Sequence, residues 1–474
     1  MSTFSPHRRR ALACIAAAGA SLVETGCRPA DPQPTPRPFS EGALRLEFRH
    51  LVRNGIDEFD LTRLRAEPRW PGRKARLDEA LDWGDYRLSV FDEQDRVLLF
   101  RTGFDSNVDP GSRAAATTLS IRLPLPQRPL RAAVEKRRVG STFQLLRDIG
   151  LDPADGSIDR SPSAFTPRVD AILVSGPSPA KADIAIVAEG YASDEYPKFV
   201  ADANRAASYL FSVQPFAARM RDFNVYSVFT PSTESGATDA YLGVRKDTAF
   251  RSAYGTDEAE RILAVRDHHA LCEAASAVPY DFLLVIVNAR RYGGSAYFGG
   301  PAVVAIDSGA ARYLVIHEFA HVIGGLADEY YIPARDGPVY RGNVEPWHPN
   351  VTLSPEAAKW QPLRSGGALE LQRWNKAEYD GYFADYVARY SKLRASGTDE
   401  SVIEQFMAAE SGRQAALLAK NGSLRQVGFF EGAAGYARGM FRSEVNCNMF
   451  SLQTDYFCAA CTSAIERMIG EHTG

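Results

Sequence analysis

A chain of 474 residues is longer than one hydrophobic core ordinarily supports, so two folded domains are expected. Hydrophobic residues make up 45% and charged residues 24%, with a formal net charge of −3, so the chain lacks the charge excess that nucleic-acid partners or a polybasic membrane patch would require. Six cysteines are too few at this length for a fold built on disulfides.

At the N-terminus, Arg8, Arg9 and Arg10 precede the apolar run "ALACIAAAGASLV", the pattern of an export signal and too short to span a membrane as a mature helix. Residues 1–26 are therefore expected to be a signal peptide and residues 27–40 a proline-rich tether. The segment "ETGCRPADPQPTPRP" resembles a bacterial lipoprotein site with Cys27 as the lipidated residue. Glu24 stands where such a site prefers an apolar residue, so a plainly cleaved signal and secretion is the alternative. The expected location is the periplasm or outer surface, with Cys27 as the membrane attachment. Cys14 leaves with the signal, and Cys272, Cys447, Cys458 and Cys461 remain, an even number that suits two disulfides in an oxidising compartment.

From about residue 41 to 135 the pattern has period two, within an N-terminal domain assigned to residues 41–150. Leu44, Leu46 and Phe48 alternate with Arg45, Glu47 and Arg49, and Tyr86, Leu88 and Val90 lead into a further strand after a polar turn. Short alternating strands imply a small antiparallel β-sandwich. A stretch rich in Pro, Ser and Asp, about 150–180, reads as a separator. Beyond it, "ADIAIVAEGY" and "YDFLLVIVNA" are continuous apolar runs that suit strands buried on both faces. Between them, a segment starting at Ser193 repeats apolar residues at helical spacing. Residues 151–474 are assigned to one α+β domain.

The chemistry lies in "HEFAHVIGGLADEYY", His317 to Tyr331. Residues four apart on a helix differ by about 40° of rotation, so His317 and His321 project from one face and can bind one metal ion. Glu318, about 100° round, can face a water on that ion and act as general base. With 8 His among 474 residues, HExxH arises by chance roughly 0.02 times per chain of this composition. The helix is apolar on its other faces and should stop at Gly324 and Gly325. A glycine after the second His lets the chain bring back a third ligand, as in metzincin-type proteases. Their usual register falls on Ala327, which cannot bind metal. The extra glycine moves the first available oxygen to Asp328, with Glu329, His348 and the distant Glu431 as alternatives.

The chain resembles the immunoglobulin A peptidase family of zinc metallopeptidases, peptidase family sixty-four of the metallo class. The resemblance rests on "DIAIVAEGYASDEYPKF", "FNVYSVFTPSTESGA", "VPYDFLLVIVNARRYGG", "HEFAHVIGGLADEYY" and "FFEGAAGYARGMFRSEVNCNMF" with "FCAAC". The earlier "EPRWPGRKARLDEALDWGDYRLSVFD" resembles the N-terminal sandwich that accompanies that catalytic domain. Ala320 stands where a glycine is common in the family motif. The resemblance implies a fold of α+β class, a metzincin-like zinc protease domain preceded by a small antiparallel β-sandwich. It also implies a Zn2+ cofactor and a protein or peptide substrate. Met449 looks like the methionine of the turn beneath the zinc in metzincins. Tyr436 and Tyr330 are candidates to hydrogen-bond the oxyanion. "NARRYGGSAYFGG", Asn288 to Gly300, is a candidate cleft rim whose edge could pair with an extended peptide.

The expectation is an exported zinc endopeptidase with the metal on His317, His321 and Asp328, Glu318 as base and Tyr436 assisting. Two alternatives differ in class: a surface-anchored binding protein with a vestigial zinc site, and a zinc amidase acting on cell wall.

Overall fold

The computed structural model describes residues 37–78, 80–108, 114–255, 260–333, 344–364, 370–452 and 454–473. The signal peptide and most of the tether, with Cys14 and Cys27, lie outside the described residues. The alternating segment, with Ile158–Asp159 from the stretch expected to be a separator, forms two four-stranded sheets. One runs in the order Ala114–Pro126, Phe39–Arg53, Ile56–Glu67, Ile158–Asp159, the other in the order Leu98–Phe104, Tyr86–Asp92, Leu130–Arg137, Phe143–Leu151. Asn54 and Gly55, at φ 51° and 76°, supply the two-residue turn of the first hairpin. Leu44, Leu46, Phe48 and Ile121 pack against Leu88, Val90, Ala132 and Val134, forming the core between the sheets.

The opposite face of the first sheet does not meet water as plain alternation suggests. Arg45 and Glu47 are fully buried. Arg45 pairs with Glu47 at 3.0 Å and Glu67 at 2.9 Å, and Arg65 reaches Glu273, on a helix of the following region, at 3.2 Å. Charges removed from water are tolerated there because each has a partner.

The two apolar runs form the middle of a six-stranded sheet in the order Gly294–Ser295, Pro301–Ala305, Phe282–Val287, Ala182–Glu189, Phe223–Phe229, Arg168–Leu173. The middle four strands are parallel and the two edges antiparallel. Arg168–Leu173 falls in the stretch expected to be a separator; its backbone instead completes the sheet beside Phe223–Phe229. Helices α1 (Tyr196–Leu210), α2 (His268–Ala275) and α3 (Ala311–Gly324) cover the sheet. Ile184, Ile186, Leu284 and Ile286 face α1 and α3, while Ala185, Val187, Leu283 and Val285 face α2. Two further helices, α4 (Lys376–Ala395) and α5 (Glu400–Ala419), pack on each other, and α6 (Ala459–Thr473) returns against α3. A last sheet centred on Gly435–Arg442 joins Tyr331–Ile332, Val351–Thr352 and Phe430–Ala433 beside the end of α3.

Candidate metal centre

Every residue of α3 except Arg312 and His321 is buried. The helix stops where expected: Gly325 adopts φ 56°, and a Cβ there would lie 2.7 Å from the Trp347 ring. This glycine turns the chain back along the helix. Asn350, fully buried, then clamps the returning segment, accepting from the Ala327 N–H at 2.9 Å and donating to the Ala327 carbonyl at 2.8 Å.

The turn delivers Asp328 to the two histidines. His317 Nε2 is 3.1 Å from Asp328 Oδ1 and 3.2 Å from His321 Nε2, and His321 Nε2 is 3.4 Å from the same carboxylate oxygen. Three donors about 2.0–2.1 Å from one tetrahedral ion stand about 3.3–3.4 Å apart, so the spacing fits a single metal. The far ring nitrogens fix the tautomers. His317 Nδ1 faces the Asn448 carbonyl at 3.2 Å and the Tyr313 hydroxyl at 3.1 Å; His321 Nδ1 faces the Leu326 carbonyl at 2.6 Å. A carbonyl can only accept, so each Nδ1 carries the proton and each Nε2 presents a lone pair to the centre.

The electrostatics agree. Burial opposes charge on His321, but hydrogen bonding and charge from Asp328 push its pKa up to about 9. Against the same effect of burial, His317 and His321 hold the Asp328 carboxyl well below the usual carboxylate range. The group thus attracts positive charge to its middle. Glu318 is buried beside it, and burial pushes its carboxyl above the ordinary range. Gly294, on the sheet's edge strand, makes room for that carboxyl: a Cβ there would lie 2.8 Å from Glu318 Oε1.

The other candidates lie as follows. Tyr330 lies beside the donors, its ring stacked over His317 with centroids 6.4 Å apart and its hydroxyl accepting from Arg261 Nη2 at 3.1 Å. Burial and the Asp328 charge raise its phenol pKa, so the O–H keeps its proton. Tyr436 lies on the neighbouring strand opposite Ile332, its ring packed with Ala327, Val351, Ala433 and Met440. His348 Nδ1 donates to the Gly325 carbonyl at 2.9 Å, outside the donor triangle. Glu431 is turned to the Gly439 N–H at 3.1 Å. Glu329 is fully buried, faces away from the histidines, and accepts from Asn350 Nδ2 at 3.3 Å. Met449 is buried in the loop below the site, and its carbonyl accepts the Glu329 N–H at 2.7 Å. The expectation of two disulfides is corrected: Cys272, Cys447, Cys458 and Cys461 are free thiols, and Cys272 belongs to α2, on the other face of the sheet.

A cavity of about 230 Å3 opens on the donors, lined by Ala296, Tyr297, Phe298, His321 and Asp328, with Asp105 from the first half of the chain on its wall. Asn350, Tyr313, Asn448 and Gly294 escape motif reading. Only Gly294 carries a signal, as one of a glycine pair in the segment expected to form the rim.

A buried helix that aims two imidazoles at a returning carboxylate, with a second carboxylate alongside, is the equipment of a metal-dependent hydrolytic site. The chain belongs to the IgA Peptidase M64 family, whose model matches residues 171–469, and the Peptidase M64 N-terminus model matches residues 36–146. It is accordingly a peptidase. No curated protein matches the chain.

Proposed function

We propose that this protein is a zinc-dependent endopeptidase of metzincin-like fold, with His317, His321 and Asp328 as the zinc ligands and Glu318 as the general base. The observation that carries this reading is the triangle of donor atoms, 3.1–3.4 Å on a side, with both imidazole protons committed to backbone carbonyls. Zinc suits two neutral imidazoles and one carboxylate, and when bound it supplies Lewis-acid polarisation and a lowered pKa for water in its open position.

The protein's own groups do the rest. Glu318, held beside the two histidines by α3, accepts a proton from the attacking water and passes it to the leaving nitrogen. Its buried setting raises the carboxylate's affinity for a proton, which favours the first transfer, from the attacking water. The Tyr330 O–H, steadied by Arg261, donates to the carbonyl oxygen as charge gathers on it. An extended peptide runs along Ala296–Phe298, where the chain leaves the edge strand Gly294–Ser295 on its way past the site. The β-sandwich before this domain forms part of the wall through Asp105. The N-terminal pattern makes the enzyme an exported one, tethered through Cys27.

Metal analysis and proteolysis test the reading together. The purified chain should hold zinc, cleave a denatured protein substrate, stop on chelation and recover on adding zinc back. Glu318→Gln should keep the metal and lose the activity. Cleavage that survives complete removal of metal from the His317 site would overturn it.

A further inference from the structure

Under the His317 site lies a second set of donors with no part in peptide hydrolysis. Cys447 comes from the loop just before Asn448, Cys458 and Cys461 from the entry to α6, and Glu329 from the residue after Asp328. All four side chains are buried, and one donor atom from each lies within 4.8 Å of the others. Cys447 Sγ and Cys461 Sγ are 3.8 Å apart. A disulfide would need about 2.05 Å. Two thiolates each about 2.3 Å from one tetrahedral ion stand about 3.8 Å apart. Glu329 Oε1 is 3.2 Å from Cys458 Sγ and 3.2 Å from Cys461 Sγ, so the carboxylate closes the same cage.

The surroundings prepare these sulfurs for a cation. The Cys458 N–H donates to Cys447 Sγ at 3.2 Å and the Cys461 N–H to Cys458 Sγ at 3.4 Å. Backbone donors aimed at sulfur favour the thiolate, the form that binds metal. Glu329 Oε2 is buried and has no hydrogen-bond partner among the described residues. An orphaned buried carboxylate oxygen is costly unless a positive charge sits against it.

We propose that Glu329, Cys447, Cys458 and Cys461 hold a second zinc ion, structural in role. Thiolate donors select zinc over hard cations such as magnesium or calcium, and four protein ligands leave no open position for substrate. A cage this small surrounds one ion. The site lies where it can brace the upper one: Asp328 serves the first ion and Glu329 the second. Cys447 anchors the loop whose Asn448 carbonyl holds His317 Nδ1 and whose Met449 carbonyl holds the Glu329 N–H. The second ion thus pins both backbone segments that position the first.

Metal counting on the full chain distinguishes this proposal from the assignment of the upper site. Wild type should carry two zinc ions per chain and His317→Ala/His321→Ala should retain one. Cobalt exchanged into that double variant should show the intense near-ultraviolet band of thiolate-to-metal charge transfer. A thiol-specific mercurial should release the retained ion as it consumes three thiols. Cys458→Ser/Cys461→Ser should lose the second ion and melt at lower temperature. Because that variant can misfold, Glu329→Gln, nearly isosteric, is the companion: it should stay folded and yield its second zinc to a chelator at least tenfold faster. A double-histidine variant that is folded and metal-free would overturn the proposal. So would a native disulfide joining any two of Cys447, Cys458 and Cys461.

Discussion

Gly294→Ala tests the placement of the general base without touching a metal ligand. The added Cβ would meet Glu318 Oε1 at 2.8 Å, Glu318 Cγ at 3.1 Å and the Val303 carbonyl oxygen at 3.1 Å. Ordinary contacts of this kind need about 3.4 Å or more, so either the carboxylate or the strand must move by roughly 0.5 Å. Neither yields easily: Glu318 is fixed on a buried helix, and Gly294 is paired with Val304 in the sheet. A general base contributes about 10²–10⁴-fold, and a misplacement of about 1 Å can cost about 10²-fold, so kcat should fall by about 10–100-fold. Zinc content should stay at the wild-type value because His317, His321 and Asp328 keep their contacts. The assay is initial-rate cleavage of a fluorogenic peptide, with metal measured on the same sample. Wild-type kcat with full metal would refute the placement of Glu318; loss of metal would refute the claim that Gly294 serves the base alone.

Glu318→Gln should retain zinc and lose about 10²–10⁴-fold in kcat, read from peptide cleavage with metal quantified in parallel. Asp328→Ala should weaken zinc binding far more than His348→Ala in a competition titration against a chromogenic chelator, and equal losses would refute Asp328 as ligand. Arg45→Ala removes the nearest cation from buried Glu47 and Glu67, leaving Arg63 and Arg122 at 3.8 and 3.7 Å, and should destabilise by about 3 kcal/mol in urea unfolding. His268 is buried, and burial followed by the neighbouring His269 lowers its pKa to about 4. The unfolded chain, with a histidine pKa of about 6.5, takes up that proton first, so this stability is intact above pH about 6.5 and is lost as pH falls towards 4, by about 3 kcal/mol in all. His268→Gln should flatten the difference in urea midpoint between pH 7 and 4.5, and an unchanged difference would count against the assignment.

The helix of the metal site is legible because its motif and its all-round apolarity coincide between Ala311 and Gly325. The register of Asp328 follows from counting past the glycine pair. Glu329 is not legible in the same way. On an extended segment neighbouring side chains point to opposite sides, so the residue beside Asp328 faces a different environment, here three sulfurs contributed from more than a hundred residues away. Counting cysteines suggests pairs, since parity carries no information about which thiols meet. Arg168–Leu173 was hidden by composition: an edge strand held by backbone pairing needs no apolar run. Arg45 and Glu47 alternate as a solvent face would, and only the packing of α2 and Tyr280 behind them shows that they are buried. Nothing in the motifs pointed to α4 and α5.

The wall that Asp105 contributes to the cavity rests on a contact between two backbones. The Asp105 N–H donates to the Phe298 carbonyl at 2.7 Å. A Cβ at Gly299 would lie 2.9 Å from the Phe104 Cβ, and the Trp83 and Phe298 rings meet edge to face with centroids 6.1 Å apart. Joined by that hydrogen bond and packed this closely, the loop bordering the cavity and the first half of the chain should move together. Occupancy of the cavity and cohesion of the β-sandwich are therefore thermodynamically linked: a bound inhibitor raises the melting temperature of the first half as well as the second. Grafting a foreign N-terminal half onto residues 171–469 would reshape the wall and thereby change which peptides are admitted.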